Sequence, residues 1–346
     1  MKCLTVDLGG SYMKYALIDE EGNLSEKGEV LSPVAGIENF VDTVAGVYEK
    51  FADRIEGVAI SIPGAIDSES GYARTTGAFL DLYGQNIFDL LKERIPVPLA
   101  VENDGKCAAL AEVWKGGLSD CQDGIVVILG TGIAGGIVKN RRLHKGKNFT
   151  AGELSCLMVK PNDFSMQNIM CIPGAMMGLT MAVAAAKGVD LSTLETAALQ
   201  KNASEKVGIS MDGAFSEGTV AKNESSEKAA EEAQPKIDGP QIFKWLEEGD
   251  PVVTGIYQNF ISHLALMTYN LQVVYDPEKI IFGGGVSRQE RLVPDIRAEV
   301  NKIFEALGSL IPVLKPELGN CQFLSDANMV GAMYNYLIHH KPELAK

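Results

Sequence analysis

Three segments of this chain carry the residue types that phosphoryl transfer needs. The first is Glu102-Asn103-Asp104, set between the apolar run 98–101 (PLAV) and an alanine-rich stretch. Moving a phosphoryl group onto a hydroxyl needs a carboxylate to accept the proton, while a metal ion and backbone donors carry the developing charge. Ligands of α/β sheets bind beyond the C-terminal ends of strands, and Asp104 falls at such an end. The other reading of Asp104 is a helix N-cap, a position that favours Asp. Asn103 could donate to and accept from a sugar diol. Glu153, in Thr150-Ala151-Gly152-Glu153, offers a second carboxylate for hydroxyls or is an ordinary surface acid.

The other two segments are glycine turns. Gly130-Thr131-Gly132-Ile133-Ala134-Gly135 fits G-x-G-x-x-G after an apolar run. That dinucleotide fingerprint needs a helix to begin at the turn, so that a pyrophosphate sits on its N-terminus. The residues that follow, GIVKNRRL, are β-branched and then turn-forming, so a strand is expected and the fingerprint is set aside. What remains is a β-hairpin whose tip presents backbone N–H groups to an oxygen ligand. Asp7-Leu8-Gly9-Gly10-Ser11 has the same plan, and two such tips could hold a polyphosphate between them. Asp7 could hold Mg2+ through water. Lys14 could pair a phosphate or cap a strand edge. Each turn alone is explained as well by a tight hairpin; together with Gly283-Gly284-Gly285 they favour nucleotide binding.

These residues need a scaffold, and the hydrophobic pattern supplies one. Residues 3–24 read as strand, glycine turn, strand, turn, and residues 124–146 repeat that plan. Ile37, Phe40, Val41, Val44, Val47 and Phe51 recur at helical spacing. GVAISIPGAID is a buried strand broken by Pro63 and Gly64, FDLLKERI a short helix, and ENDGKCAALAEVWKG a turn leading into a helix. Helices are expected at 175–188, 252–274 and 326–340, and a strand in PEKIIFGGGVS. Residues 200–236 are polar, rich in Ser, Glu, Lys and Ala, and lack an apolar stripe; they read as an exposed insertion.

The chain has 346 residues, 46% hydrophobic, enough for two domains with sizeable cores. A net charge of −14 excludes the basic footprint of a nucleic-acid binder and suits an anionic membrane poorly. No run approaches the roughly 20 apolar residues of a membrane span, and the opening MKCLTVDLGG has no signal-peptide pattern. The six cysteines are scattered without a C-x-x-C pair, so free thiols in the cytoplasm are expected, and no structural zinc site.

With these motifs in this order, the chain resembles the ROK sugar kinases (repressor, open reading frame, kinase) over almost its whole length. DLGGSYMK resembles the family's first phosphate loop, where Thr is commoner than Ser11. ISIPGAID resembles its I-x-x-P-G-x-V/I-D segment, and LGTGIAGGIV its second phosphate loop. ENDGKCAALAE is similar to the catalytic E-N-D-x-x-x-A-x-x-A-E run, with an unusual Gly-Lys at 105 and 106. AGE, IIFGGGVS and DANMVGAMYNYL are similar to later landmarks. The resemblance implies an α/β fold of the actin-like ATPase (ribonuclease H-like) type, duplicated into two lobes around a central cleft. Residues 1–117, completed by a C-terminal helix at about 325–346, would form the small lobe, and 118–324 the large lobe with its insertion. It implies Asp104 as general base and Asn103, Glu153, Gly64 and Cys156 at the sugar. Gly9, Gly10, Ser11, Lys14, Thr131 and Gly132 would hold ATP phosphates, Gly284 and Gly285 would border the adenosine, and Asp7 would hold Mg2+. Homodimers are usual in such kinases.

Two departures from the family pattern bear on the sugar. A His usually stands three residues after the sugar-binding Glu, where this chain has Cys156. The family's C-x-C-G-x-x-G-C zinc cluster and the Glu after it are replaced by NIMCIPGAMMGLT, which retains Cys171 alone. The lost His and Glu normally bond hydroxyls near the anomeric end. Some zinc-free relatives phosphorylate O6 of β-glucosides, so relaxed recognition at C1 is expected; N-acetylmannosamine and fructose are the alternative substrates. From another class, a sugar-responsive repressor of the same family would need an N-terminal helix-turn-helix, for which a phosphate loop beginning at residue 7 leaves no room. A catalytically idle sugar-binding module would not need Asp104 and both loops.

Overall fold

The computed structural model describes residues 1–189, 237–310 and 312–345. The polar stretch expected at 200–236 lies outside the described residues.

The chain opens with the hairpin of β1 (Lys2–Leu8) and β2 (Tyr12–Asp19), followed by β3 (Leu24–Leu31). α1 (Ile37–Glu49) turns Phe40, Val44 and Val47 inward, the helical spacing noted above. β4 (Gly57–Ile62) is buried along its whole length, as a central strand covered on both faces must be. The small strands β5 (Ile66–Asp67) and β6 (Tyr72–Ala73) form a separate two-stranded sheet. α2 (Ile87–Leu91) is capped by Asn86, whose side chain accepts from Phe88 N and Asp89 N. β7 (Leu99–Asn103) then runs directly into α3 (Asp104–Lys115). The strands form one sheet in the order β3-β2-β1-β4-β7.

The second sheet has the same plan. β8 (Gly124–Leu129) and β9 (Ile133–Lys139) form its hairpin, with β10 (Arg142–Leu143) at one edge and β11 (Lys279–Gly283) and β12 (Leu318–Asn320) on the other side. The order is β10-β9-β8-β11-β12. In both sheets the first two strands are antiparallel and the following neighbours parallel. The duplication suggested by the two glycine hairpins is therefore a duplication of sheet topology.

Four more helices complete the described chain before its end: α4 (Met176–Ala186), α5 (Gly239–Glu247), α6 (Pro251–Tyr275) and α7 (Leu292–Leu307). They cover the second sheet, with Leu179, Phe243, Leu264, Ile296 and Phe282 in one core. α8 (Ala327–His340) is the last element. It packs against α3, and the pair fills the space between the sheets: α3 lies chiefly on β9 and β8, α8 on β4, β7 and β1. Leu110, Val113, Val330, Met333 and Leu337 form this central core, and Trp114 stacks on Tyr334 with ring centroids 5.1 Å apart. The two backbones nearly touch, since a Cβ on Gly331 would lie 1.6 Å from the Cys107 carbonyl oxygen. Among the described residues, no helix is long and apolar enough to cross a membrane.

Candidate active site

Asp104 begins α3 at the end of β7, and its neighbour supplies the helix cap. Asn103 is extended (φ −62°, ψ 144°), and its Oδ1 accepts from Lys106 N at 3.0 Å. The capping role open to Asp104 in the sequence is thus taken by Asn103. The amide nitrogen of Asn103 donates to Asp104 Oδ1 at 2.8 Å and to Gly64 O at 2.9 Å. Gly105 N also donates to Asp104 Oδ1 at 2.8 Å. One carboxylate oxygen is held on two N–H donors, while Oδ2 accepts no hydrogen bond among the described residues. Burial pushes the Asp104 carboxyl up to about 6; the Gly105 N–H opposes this, the charges of Asp7 and Glu153 add to it, and Lys106 offsets them. A carboxylate in that range is ionised at neutral pH yet basic enough to take a proton.

Asp7 is the penultimate residue of β1, and its charge acts on Asp104. In the parallel β1–β4 register it lies opposite Ser61, whose Oγ donates to Asp7 Oδ1 at 2.8 Å. Asn328 of α8 donates to the same oxygen at 3.0 Å. Burial raises the Asp7 carboxyl, while Ser61, Asn328 and Lys14 act to lower it. Lys14 stands opposite Asp7 across the hairpin. With Oδ1 oriented by two donors and Oδ2 without a hydrogen bond among the described residues, Asp7 fits the task of holding a hydrated Mg2+.

The two hairpin tips are fixed by different neighbours. At the first, Ser32 Oγ donates to Gly9 O at 2.5 Å, and Ser32 N donates to Ser11 O at 3.1 Å. At the second, Gly130 N donates to Gly132 O at 2.9 Å, and the first N–H groups of α4 take the loop carbonyls, Met176 N on Gly130 O at 3.2 Å and Met177 N on Thr131 O at 3.1 Å. Gly10, Ser11, Thr131 and Gly132 are exposed. A Cβ on Gly10 or Gly132 would meet nothing within 4 Å, so no protein neighbour fills the space beside them. The strand after the second tip is β9, not a helix, as the sequence pattern indicated. Gly284 adopts φ 87° and lets β11 end against β8, where a Cβ would sit 2.3 Å from Leu129 O; Gly285 follows, exposed.

Glu153 reaches α3 across a junction of closely approaching backbones. A Cβ on Gly105 would lie 2.7 Å from Gly135 N, and one on Gly152 would lie 3.3 Å from the Cα of Gly136. The later glycines of the GTGIAGG run therefore serve close packing of helix, strand and loop. Across this junction Lys106 Nζ donates to Glu153 Oε1 at 2.8 Å. Lys106 is 1% exposed. A second ion pair crosses beside it: Lys145 Nζ contacts Ser68 Oγ and lies 3.2 Å from Glu102 Oε2, with Glu102 fully buried.

The structure thus gathers Asp104, Asn103, Gly64, Asp7 and Glu153 around the end of β7. Cys156 is exposed, and its Sγ lies 3.8 Å from Ser155 Oγ. Among the described residues, no hydrogen bond links it to Asp104, Asn103 or Glu153. Among those residues no three His, Cys, Asp or Glu side chains converge on a metal position. Sequence reasoning assigned no role to Ser61, Asn328 or Lys106. A signal existed for Lys106: it stands two residues into an alanine-rich helix, in the place where a capping box has Glu or Gln.

Two sheets of one topology, with carboxylates at the strand ends between two glycine hairpins, define the actin-like ATPase fold. The chain belongs to the ROK family, whose model matches residues 3–191 and 216–337. A β-glucoside kinase of Listeria monocytogenes is 25% identical, over 97% of this chain and 98% of its own length. Among solved structures, a ROK family protein of Streptococcus pneumoniae in complex with sucrose has a TM-score of 0.77 at 22% identity, covering 99% of this chain and 100% of that one. A ROK family glucokinase of Streptomyces griseus in complex with glucose and AMPPNP has a TM-score of 0.71 at 23% identity, covering 96% of this chain and 98% of that one.

Proposed function

We propose that this chain is an ATP-dependent sugar kinase that transfers the γ-phosphoryl group of Mg-ATP to O6 of a hexose or hexoside. The observation that carries this reading is the Asp104 carboxylate, held on one oxygen by Gly105 N and Asn103 Nδ2 at 2.8 Å and open on the other. In this reading Oδ2 takes the proton of the sugar hydroxyl as its oxygen attacks phosphorus, and ADP leaves. Glu153 and Asn103 orient the sugar. Gly9, Gly10, Ser11, Lys14, Thr131 and Gly132 receive the phosphates, and Gly284 and Gly285 border the adenosine. Asp7 would hold Mg2+, which would supply charge neutralisation to the transferring group. The small lobe comprises 1–117 and the C-terminal helix, the large lobe 118–324, and the chain works as a homodimer.

Asp104→Asn keeps shape and hydrogen bonds but removes the base. Turnover is expected to fall by about 10²–10⁴, with AMPPNP affinity by calorimetry within about twofold of the original. Undiminished turnover would overturn the assignment.

The substrate class is a sugar carrying a substituent at C1. Cys156 in place of the family His supports this, as do the β-glucoside kinase relative and the sucrose held by the Streptococcus pneumoniae protein. Cellobiose is expected to be phosphorylated with a higher kcat/KM than glucose, N-acetylmannosamine or fructose in a coupled ADP assay. Glucose outperforming every glycoside would sink it.

A further inference from the structure

Lys106 sits where a lysine is disfavoured three times over. It is 1% exposed, so its ammonium has lost nearly all contact with water. It lies in the first turn of α3, at the positive end of the helix dipole. It also occupies the capping-box position that suits Glu or Gln. Breaks of local rules inside a well-packed fold are expected at functional or strained sites. What offsets these costs is the Glu153 carboxylate at 2.8 Å, itself 29% exposed at the side chain. Among the described residues, Glu153 Oε1 is the one hydrogen-bond acceptor for Lys106 Nζ, which has three donors to give. Glu153 Oε2 accepts no hydrogen bond there either. Both groups thus have capacity to spare, side by side, with Lys106 two residues along α3 from Asp104 and both charges close enough to act on its carboxyl.

The loop that carries Glu153 is held at its other end too. Lys145 binds Ser68 and Glu102, so the segment from 145 to 153 is stapled to the residues flanking Asn103 and Asp104 by two ion pairs of opposite sense. Positions of donor and acceptor relative to the catalytic carboxylate are therefore fixed before substrate arrives, the condition under which polar contacts discriminate between ligands.

We propose that Lys106 is a specificity-determining residue of the sugar site, acting with Glu153 as a donor–acceptor pair that reads one ring hydroxyl. The carboxylate accepts the hydroxyl proton, and the ammonium donates to its oxygen. An analogue lacking that hydroxyl leaves the ion pair in place but the spare Lys106 donors and Glu153 Oε2 without the partner they are set to meet, which is how a site built to hydrogen-bond a hydroxyl rejects the analogue without it. The inference rests on the sugar-kinase reading and deepens it.

The test is Lys106→Met against mono-deoxy analogues of whichever sugar the wild-type protein binds, with affinity by calorimetry and turnover in parallel. For one analogue the wild-type protein is expected to discriminate by about 100-fold. The variant should discriminate by about tenfold or less at that position and keep the other ratios, with AMPPNP affinity unchanged. Lys106→Arg should restore part of the discrimination. All ratios unchanged in Lys106→Met would overturn the proposal, as would a uniform loss across every analogue. Should Lys106→Met fail to fold, Lys106→Gln answers the same question. Sugar binding without turnover in the wild-type protein breaks the kinase reading alone, since the affinity ratios still decide the role of Lys106. No binding of any sugar removes both.

Discussion

In the first sheet β7 runs without a break into α3, and the residues at that joint, Asn103 and Asp104, are fixed by strand and helix at once. In the second sheet β12 is three residues long, and residues 321–326 intervene before α8 begins. Each of these helices leaves its own sheet and packs on the other. The duplication has thus preserved where the helices go while dividing the chemistry unequally. The tight joint carries the candidate base. The loose one delivers an amide, Asn328, to orient Asp7 at 3.0 Å in the opposite half. A side chain that must take a proton is held best where no loop intervenes; a side chain that only orients another tolerates a longer lever.

The shared helix pair is what makes either arrangement possible, and breaking it is expected to have the largest effect. Gly331→Ala would drive a methyl group to 1.6 Å from the Cys107 carbonyl, so α8 must withdraw from α3. A loss of about 3 kcal/mol or more in denaturant unfolding is expected. Because α8 carries Asn328 and α3 carries Asp104, turnover should fall even at temperatures where the variant remains folded. A stability close to that of the original would mean that the helices do not meet as closely as described.

The joint itself stores a cost. Asp104 holds its proton up to about 6, against an ordinary 3.8. Between those values the folded chain binds more protons than the unfolded one, so stability falls as pH rises through the window, and the penalty is complete above about 6. Asp104→Asn, slowed by about 10²–10⁴ in turnover, is therefore expected to be more stable at pH 8, by up to about 3 kcal/mol, and to lose that advantage at pH 4. An equal stability difference at both pH values would show that the carboxylate is not strained by its burial.

How much of this was legible in the sequence follows the range of each interaction. The hairpins, the helical periods and the strand at PLAV that leads to Asp104 depend on near neighbours, and their residue patterns gave them away. The capping question did not resolve, because Asn and Asp are both favoured caps. Only the backbone shows Asn103 outside the helix and Asp104 within it. Lys106 and Glu153 are 47 residues apart, and Asp7 and Asn328 are 321 apart. Neither pairing leaves a local trace, since each exists only after sheet duplication has brought the strand ends together. The glycines at 105, 135 and 152 were visible as glycines, but their purpose, three backbones in contact, is a property of the assembled site.

Asn328 offers the finest test of the division between the halves. If α8 contributes only packing to the first sheet, Asn328→Ala removes one hydrogen bond of ordinary worth, about 1 kcal/mol of stability, and leaves kinetics alone. If it orients Asp7, the carboxylate of the variant keeps the Ser61 bond but gains freedom to turn, and Mg-ATP should suffer before the sugar does. The expected result is a rise of about fivefold in KM for Mg-ATP, with KM for the sugar unchanged. Ser61→Ala should give a similar rise from the neighbouring strand, and the double variant more than either. An effect on the sugar KM instead would move Asn328 from the metal side of the cleft to the substrate side, and with it the contribution of the second half.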